Sequence, residues 1–354
     1  MLSRRDLLKA AAGVVAGARP LASAAAAAKA SFGLVYTSFV VRLARGRDIL
    51  KTTAARLDAD AFFGLCERFA ADGGQVDVSQ IAATDGEALA RLRRRIGERG
   101  LFAELSIPAR SLESEAAFDR VASIAHALGI TRLRVALLSG RRYETFATRA
   151  EWDGFASHWR SVLPRIRPAI ERSGLQLGIE NHKDWTTAEL AELLRRIDSG
   201  SIGACVDFGN NVAFLEDPLT LAETLAPWAV TTHLKDMAVR PCEGGFELSE
   251  VPLGSGLLPL AEMIATLRRS KPDLHFCLEM ITRDPLRVPY REDRYWATFG
   301  ERDEKKVAAF ERTMLSRAAE TLPRITGLSY EAQIAAEDDN VRRSAIYART
   351  VLGC

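Results

Sequence analysis

Residues 202–210 read IGACVDFGN, a short apolar run that stops at a carboxylate, Asp207, and then turns polar. Three other segments repeat this design, each ending its apolar run at an acidic or imidazole side chain: 175–182 (LQLGIENH, Glu180), 229–236 (AVTTHLKD, His233) and 274–280 (LHFCLEM, Glu279). Apolar runs of this length are typical of strands that are covered on both faces, as in parallel sheets. The four segments therefore predict four successive parallel strands.

Outward from these segments, short apolar runs alternate with longer helical patterns along residues 31–284. We predict strands at Phe32–Thr37, Gly74–Ser79, Leu101–Ile107, Thr131–Leu138, Leu175–Glu180, Ile202–Asp207, Ala229–Leu234 and Leu274–Glu279. Helical crossovers join parallel neighbours, and eight such units favour a closed barrel over an open doubly wound sheet. No GxGxxG motif follows the first strand, so the main signal for a dinucleotide-binding fold is missing. The prediction is an α/β fold, a (β/α)8 TIM barrel over 31–284 with a C-terminal helical extension over 285–354 that packs on the barrel.

The overall composition is that of a globular protein. The 354 residues are 47% hydrophobic and 27% charged, which excludes disorder, collagen and coiled coil. The formal net charge is +2, but the first 30 residues hold five basic side chains and one acidic side chain, which leaves about −2 for the rest. The nearly neutral remainder of the chain lacks the excess positive charge that favours binding to nucleic acid or to an anionic membrane. We therefore expect no nucleic-acid partner.

Residues 1–30 have the parts of a bacterial export signal. Arg4 and Arg5 precede a weakly apolar run, and small residues follow at 22–24. The paired arginines resemble the twin-arginine consensus, which predicts export in the folded state, through the Tat machinery, to the periplasm or the medium. Arg19 and Pro20 interrupt the run well before the ~20 apolar residues of a spanning helix, so we expect no stable membrane insertion. The alternative is an Ala-rich amphipathic helix on a cytoplasmic protein.

The four residues that end the last four strands predict a metal site. Side chains at the carboxyl ends of barrel strands point into the active-site mouth, so Glu180, Asp207, His233 and Glu279 should converge there. Three carboxylates and one imidazole suit a hard or borderline divalent ion, with Mn²⁺ first and Mg²⁺, Co²⁺ or Zn²⁺ as alternatives. For each residue taken singly, a helix cap or an ion pair is an equally ordinary explanation.

The segments IENH, CVDFGN, THLKD and CLEM, with Pro252-Leu253-Gly254-Ser255-Gly256 in the loop after the seventh strand, resemble the xylose isomerase-like TIM-barrel superfamily. Within it they are most similar to the sugar phosphate isomerase/epimerase group, which includes D-tagatose 3-epimerase and inosose dehydratase. The resemblance implies that the four residues bind one divalent metal. It also implies that Glu180 and Glu279 act as the acid/base pair of the reaction.

The chain departs from that family at two positions that affect specificity. Epimerases commonly have a histidine where this chain has Asn210, and a substrate-binding arginine where it has Val239. These differences make ketohexose epimerase specificity doubtful and weigh against the multi-zinc site of the related phosphodiesterases. The candidate substrate-binding residues are His182, Asn210, Lys235 and Arg283. His275, at the start of the eighth strand on the far rim, is predicted to be structural.

The resemblance implies a sugar isomerase or epimerase that moves a proton next to a carbonyl through an enediolate stabilised by the metal. The same site serves a keto-sugar or keto-glycoside lyase or dehydratase, and the sequence does not choose between them. A non-catalytic periplasmic sugar-binding protein is the alternative from another class. The expected partner is a small carbohydrate, and a homo-oligomer is possible.

Overall fold

The computed structural model describes residues 30–43, 57–81 and 85–354. The strands in chain order are β1 (Ser31–Val35), β2 (Gly73–Asp77), β3 (Phe102–Ser106), β4 (Arg132–Val135), β5 (Gln176–Glu180), β6 (Ile202–Asp207), β7 (Ala229–Leu234), β8 (Asp236–Cys242), β9 (Gly245–Val251), β10 (His275–Leu278) and β11 (Leu286–Val288). Eight of them close a barrel in the order β1-β10-β7-β6-β5-β4-β3-β2, with all neighbours parallel. The predicted (β/α)8 barrel is confirmed.

Helices surround the barrel and connect its strands. They are α1 (Ala59–Arg68), α2 (Gly86–Glu98), α3 (Glu115–Leu128), α4 (Arg142–Thr145), α5 (Arg149–Ser173), α6 (Thr187–Ile197), α7 (Pro218–Leu225), α8 (Leu260–Ser270), α9 (Asp293–Trp296), α10 (Glu304–Thr313) and α11 (Tyr330–Thr350). Local sequence sets their ends: a capping box between Thr186 and Glu189 begins α6, and Gly129, at φ +73°, ends α3 in the left-handed region. The side chains between helices and strands form the apolar core.

The strand register places the residues of interest at matching heights inside the barrel. Asp207 on β6 pairs with His233 on β7, and Glu180 on β5 pairs with Cys205 on β6. Alternate residues of each strand point outward instead, and those of β5, Leu177 and Ile179, are fully buried under the helices. Burying such an aliphatic side chain contributes roughly 1.5–3 kcal/mol, so a register slip would be costly.

The segment after β7 differs from the sequence prediction. We expected a long loop there, but β8 and β9 form a hairpin, and β11 pairs with β9 to complete a three-stranded antiparallel sheet. The hairpin turns at Gly244, whose φ of +73° favours glycine. Charged residues such as Arg240 and Glu247 alternate with apolar ones here, and they pair across the hairpin. That alternation is typical of a half-exposed strand.

The C-terminal residues are helical, as predicted, and α11 packs against the barrel beside β1. Asn340 donates to the Thr282 hydroxyl just after β10 at 3.0 Å, and the backbone N–H of Val41, after β1, donates to Glu337 at 2.6 Å. Farther along the helix, Arg349 contacts Asp72, before β2, at 2.8 Å. The helix therefore lies along the seam between β10 and β1, where the outer ring would otherwise lack a helix.

Two general features complete the description. In the ranges that the structure covers, no helix combines the length and apolarity needed to cross a membrane. Four of the five cysteines are buried, namely Cys66, Cys205, Cys277 and Cys354, and Cys242 is half-buried. The export signal predicted for residues 1–30 lies outside the described residues, apart from its last position.

Candidate active site

The predicted metal ligands come together at the carboxyl end of the barrel. One ligand atom each from Glu180, Asp207, His233 and Glu279 lies within 4.8 Å of all the others. His233 Nδ1 is 3.4 Å from Glu180 Oε1, 3.7 Å from Asp207 Oδ2 and 3.4 Å from Glu279 Oε2. All four side chains are buried, at 3% exposure or less. Three carboxylates and a ring nitrogen thus surround one point.

Backbone contacts leave one oxygen of Asp207 directed into the cluster. Its Oδ1 accepts from the backbone N–H of Gly209 at 2.9 Å and of Asn210 at 2.7 Å, which is the geometry of a turn that follows a strand. Asn181 joins the ends of β5 and β6 by accepting from the N–H of Asp207 at 2.8 Å and donating to its carbonyl at 2.9 Å. The strand end is therefore rigid, and Oδ2 alone faces the site.

Glu180 is held by a guanidinium. Arg134 on β4 donates to its Oε2 through Nε and pairs with it through Nη2, while Arg134 Nη1 reaches the Ser106 hydroxyl at 3.1 Å. The other oxygen, Oε1, accepts from Asn210 Nδ2 at 3.0 Å. Although burial disfavours the charged form, Arg134 and the nearby histidines hold the pKa of Glu180 well below its usual range. Glu180 is thus an ionised carboxylate and a weak base.

Glu279 has a different set of partners. The Thr37 hydroxyl donates to its Oε1 at 2.7 Å, and Lys235 Nζ lies 2.6 Å from its Oε2. The same ammonium is 3.0 Å from Asp207 Oδ2. Against the cost of burial, Lys235 and His233 lower the pKa of Glu279, and the two carboxylates raise that of Lys235. Lys235 therefore sits at the edge of the cluster as a permanent cation.

The donor set fits a divalent metal ion. His233 Nδ1 is fully buried and makes no hydrogen bond, and Asp207 Oδ2 and Glu279 Oε2 have the Lys235 ammonium nearby but no well-formed hydrogen bond. A buried ring nitrogen left without a partner is costly unless a ligand uses it. Since the other donors are oxygens, the residues suit a hard or borderline ion.

A second group of cations lies beside this cluster. Lys183, in a left-handed conformation at φ +62°, is buried and donates to Asn210 Oδ1. Lys235 Nζ contacts the same oxygen at 3.2 Å. Burial and the neighbouring Lys235 lower the pKa of Lys183 to about 8. Two buried ammonium groups thus share one neutral amide oxygen at the margin of the metal-ligand cluster.

The other predicted substrate residues are placed as follows. His182 is half-buried and donates from Nδ1 to the Leu138 carbonyl at 2.9 Å, and burial lowers its pKa to about 4, so its neutral ring presents Nε2 as an acceptor. Arg283 forms a two-point ion pair with Glu250, at 2.6 and 3.2 Å. Asn210 is engaged by Glu180 and both lysines. Roles in substrate binding remain predictions for all of these residues.

Sequence reasoning missed the residues that support the cluster: Thr37, Gln75, Glu104, Arg134 and Lys183. Most lie within or next to β1–β4. A signal was present in part, because Arg134 and Glu104 are charged residues at inward positions of strands predicted to be buried. A buried charge needs a partner, so each was a candidate site residue. Lys183 follows the IENH segment directly and carried no such signal.

Comparisons with known proteins agree with the barrel fold. The model of the family described as "Xylose isomerase-like TIM barrel" matches residues 63–298. A 3-oxo-isoapionate decarboxylase of Pectobacterium atrosepticum is 30% identical over 205 residues, covering 57% of this chain and 70% of that protein. An uncharacterised protein of Escherichia coli, YihM, is 28% identical over 102 residues, 29% of this chain and 31% of that protein.

Solved structures show the same fold at low sequence identity. A D-psicose 3-epimerase crystallised in the presence of D-fructose superposes with a TM-score of 0.59 at 16% identity. The D-psicose 3-epimerase of Clostridium cellulolyticum H10 gives 0.60 at 13% identity, and in both cases the alignment covers 92% of this chain and all of the other. With the barrel, its ligand cluster and the family match in agreement, this chain belongs to the xylose isomerase-like TIM-barrel family.

Proposed function

We propose that this chain is a metal-dependent enzyme acting on an oxidised sugar, and that it releases carbon dioxide from a 3-oxo sugar acid. We therefore rank a lyase reaction above epimerisation as the function of this site. The observation that carries this choice is Lys183, a buried ammonium whose contact is an amide oxygen. Among the described residues no carboxylate forms an ion pair with it.

The balance of charge supports an anionic substrate. Arg134 is paired with Glu180, Lys235 with Asp207 and Glu279, and Arg283 with Glu250. Lys183 is the cation without a carboxylate partner. The four cations and four carboxylates balance as they stand, so a bound divalent ion would leave an excess of two positive charges. A neutral sugar would leave this excess uncompensated, whereas a carboxylate beside Lys183 and Lys235 would offset it. The relative from Pectobacterium atrosepticum is, by its name, a decarboxylase of a 3-oxo compound, which is consistent with this proposal.

Each residue then has a defined task. Glu180, Asp207, His233 and Glu279 would hold the ion, which when bound polarises the carbonyl and stabilises the negative charge that builds on its oxygen. Lys183 and Lys235 hold the carboxylate in a buried site, where the carbon–carbon bond breaks and its electron pair moves towards the carbonyl. Lys183 then faces the carbon that has lost carbon dioxide. With a pKa of about 8, it is a competent proton donor to that carbon.

The test is carbon dioxide release by Mn²⁺-loaded protein from a panel of 3-oxo sugar acids, with the corresponding neutral ketoses as controls. We expect release from the acids, and a loss of about 10–100-fold in kcat/KM for Lys183→Met, the worth of a hydrogen bond to a charged group. Metal content should not change in that variant. Lys305→Met, which removes an exposed lysine of α10, is the matched control. Turnover of neutral ketoses without carbon dioxide release would contradict the proposal.

A sugar isomerase or epimerase is the second candidate function. Its support is that Glu180 and Glu279 approach His233 Nδ1 from different strands at the same 3.4 Å, so they could flank a substrate lying between them. Epimerisation requires that a C–H proton exchange with solvent. We therefore expect deuterium to enter an added neutral ketose in heavy water, without release of carbon dioxide, only if this second function holds, and the same panel distinguishes the two.

A further inference from the structure

The imidazole of His233 is one end of a hydrogen-bonded chain that runs down the barrel interior, away from the mouth. Its Nε2 lies 2.9 Å from Gln75 Oε1, and Gln75 Nε2 donates to Glu104 Oε2 at 3.1 Å. Glu104 Oε2 also accepts from the Thr231 hydroxyl at 2.6 Å, and Glu104 Oε1 is 2.8 Å from His275 Nδ1. The chain therefore ends at the opposite rim, where the His275 side chain is 22% exposed.

The chemistry of Glu104 decides which atoms donate along this chain. An ionised carboxylate has only acceptors, and Glu104 is surrounded by three donors, so Gln75 must turn its NH₂ group towards Glu104. The carbonyl oxygen of Gln75 then faces His233 and can only accept. His233 must consequently carry a proton on Nε2, which leaves Nδ1, the atom that faces Glu180 and Glu279, as the one that can bind a metal.

The interior location makes this orientation strict. Gln75 is fully buried and Glu104 is 1% exposed, so water cannot replace a misplaced partner. If Gln75 turned over, its NH₂ group would face the ring N–H of His233 and its oxygen would face the carboxylate of Glu104. The contact between the two oxygens would be repulsive whatever the tautomer of His233, which disfavours the flipped amide as long as Glu104 is in place.

We propose that Glu104 and Gln75 are positioning residues for the metal: together they fix the tautomer of His233, so that Nδ1 is always available as the ligand atom. Neither residue belongs to the four candidate ligands: Gln75 lies on β2 and Glu104 on β3, across the barrel from the strands that carry those ligands. Outer partners of a metal-bound histidine fix its tautomer and orientation, and their removal commonly costs about 10–100-fold in metal affinity. This inference rests on metal binding by the four ligands and not on the choice of reaction.

The test is Mn²⁺ affinity, measured by calorimetry, in a set of variants. Gln75→Leu and Glu104→Leu should each weaken binding by about 10–100-fold. The double variant should bind Mn²⁺ no more weakly than the weaker-binding single variant, because both residues act through the same hydrogen-bonded chain. Glu104→Gln keeps an acceptor oxygen for Gln75 and should retain most of the affinity. Thr231→Val removes one donor to Glu104 but leaves the path intact, and is the matched control.

A spectroscopic measurement keeps the inference testable if a leucine variant fails to fold. The chain has five histidines, so their ¹⁵N signals in the wild-type protein loaded with diamagnetic Zn²⁺ can be assigned by single substitutions. His233 should show a protonated Nε2 and a metal-bound Nδ1. The reverse pattern would overturn the inference, as would unchanged Mn²⁺ affinity in both single variants while His233→Ala loses the metal. Absence of metal from the wild-type protein would instead overturn the proposed metal site itself.

Discussion

The two halves of the barrel interior contribute in different ways. The four candidate ligand side chains come from β5, β6, β7 and the end of β10, whereas β1–β4 and the turns after them supply groups that contact those side chains. Thr37 fixes Glu279, Arg134 fixes Glu180, and Gln75 with Glu104 fixes His233. The comparison teaches that one half carries all four side chains of the cluster and that the other half helps to orient three of them, whereas Asp207 is held within its own half. We call β5–β7 with the end of β10 the ligand half, and β1–β4 with the turns after them the supporting half. Substitutions in the two halves should therefore affect metal binding in different ways.

The largest effect is expected in the ligand half, for Asp207→Ala. This change removes one of the oxygens that face the cluster, so we expect the bound divalent ion to be lost and activity with it. A ligand that binds only the native state stabilises it by about 2.7 kcal/mol at a hundredfold excess over Kd. The wild-type protein should therefore gain thermal stability on addition of Mn²⁺, and the variant should not. Elemental analysis and thermal unfolding with and without Mn²⁺ measure both outcomes.

Asp217→Ala is a suitable control, because it removes another aspartate whose side chain caps the start of α7 and lies outside the cluster. It should lose some helix stability and keep its metal. Full metal content in Asp207→Ala would mean that the cluster is structural, and the difference between the two halves would then disappear.

The second effect, in the supporting half, concerns Arg134→Met. Arg134 lowers the pKa of Glu180 in the folded protein, so its loss should raise that pKa, and Glu180 should take up a proton at a higher pH than before. The acidic limb of Mn²⁺ binding should move to higher pH, with a loss of about 10–100-fold in affinity on the acid side that shrinks as pH rises. Titrations of Mn²⁺ over a range of pH measure this shift.

Arg132→Met is the matched control for that experiment. Arg132 precedes Arg134 by two residues on β4, but it pairs with the exposed Asp273 at the opposite rim. Its substitution should leave the pH dependence of metal binding unchanged. If both variants behaved alike, Arg134 would contribute only through the general charge of the barrel and not through its contact with Glu180.

The same division explains how much could be predicted from the sequence. Each ligand ends an apolar run, so the change from apolar to polar marks it, and the parallel barrel brings such ends together. Supporting residues lie inside strands, where a polar side chain at an inward position has no fixed motif. Gln75 and Arg134 depend on partners 158 and 46 residues away in the chain, and such contacts exist only after folding. The β8–β9 hairpin was also missed, although its alternating charged and apolar residues are typical of a half-exposed strand.

A smaller effect is expected from Thr37→Val, which removes the hydroxyl that donates to Glu279 Oε1 at 2.7 Å. A hydrogen bond to a charged group contributes about 1.5–3 kcal/mol, but Lys235 still holds the other oxygen. We expect Mn²⁺ affinity to fall by roughly tenfold at most. Thr37→Ser keeps the hydroxyl and should bind like the wild-type protein. Equal losses in both variants would show that packing at this position matters and the hydrogen bond does not.

The smallest effect concerns Glu337, which connects α11 to the supporting half. Its buried carboxyl accepts from the Val41 N–H at 2.6 Å and pairs with Arg42, yet burial dominates and raises its pKa to about 7. A carboxyl whose pKa is higher in the folded than in the unfolded state contributes stability at low pH. That contribution is lost as pH rises from about 4.5 to about 7, because the unfolded chain releases the proton first.

Glu337→Gln replaces the titrating group with a neutral one of the same size, so the variant should lack this decline. Between pH 5 and 7 the free energy of unfolding of the wild-type protein should fall by up to about 2 kcal/mol more than that of the variant. Urea unfolding at both pH values measures the difference. Asp339→Asn alters a carboxylate of the same helix that pairs with Arg342 and not with the partners of Glu337, and should follow the wild-type curve. Parallel curves for Glu337→Gln and the wild-type protein would show that Glu337 remains ionised in the fold, held by Arg42 as Glu180 is held by Arg134.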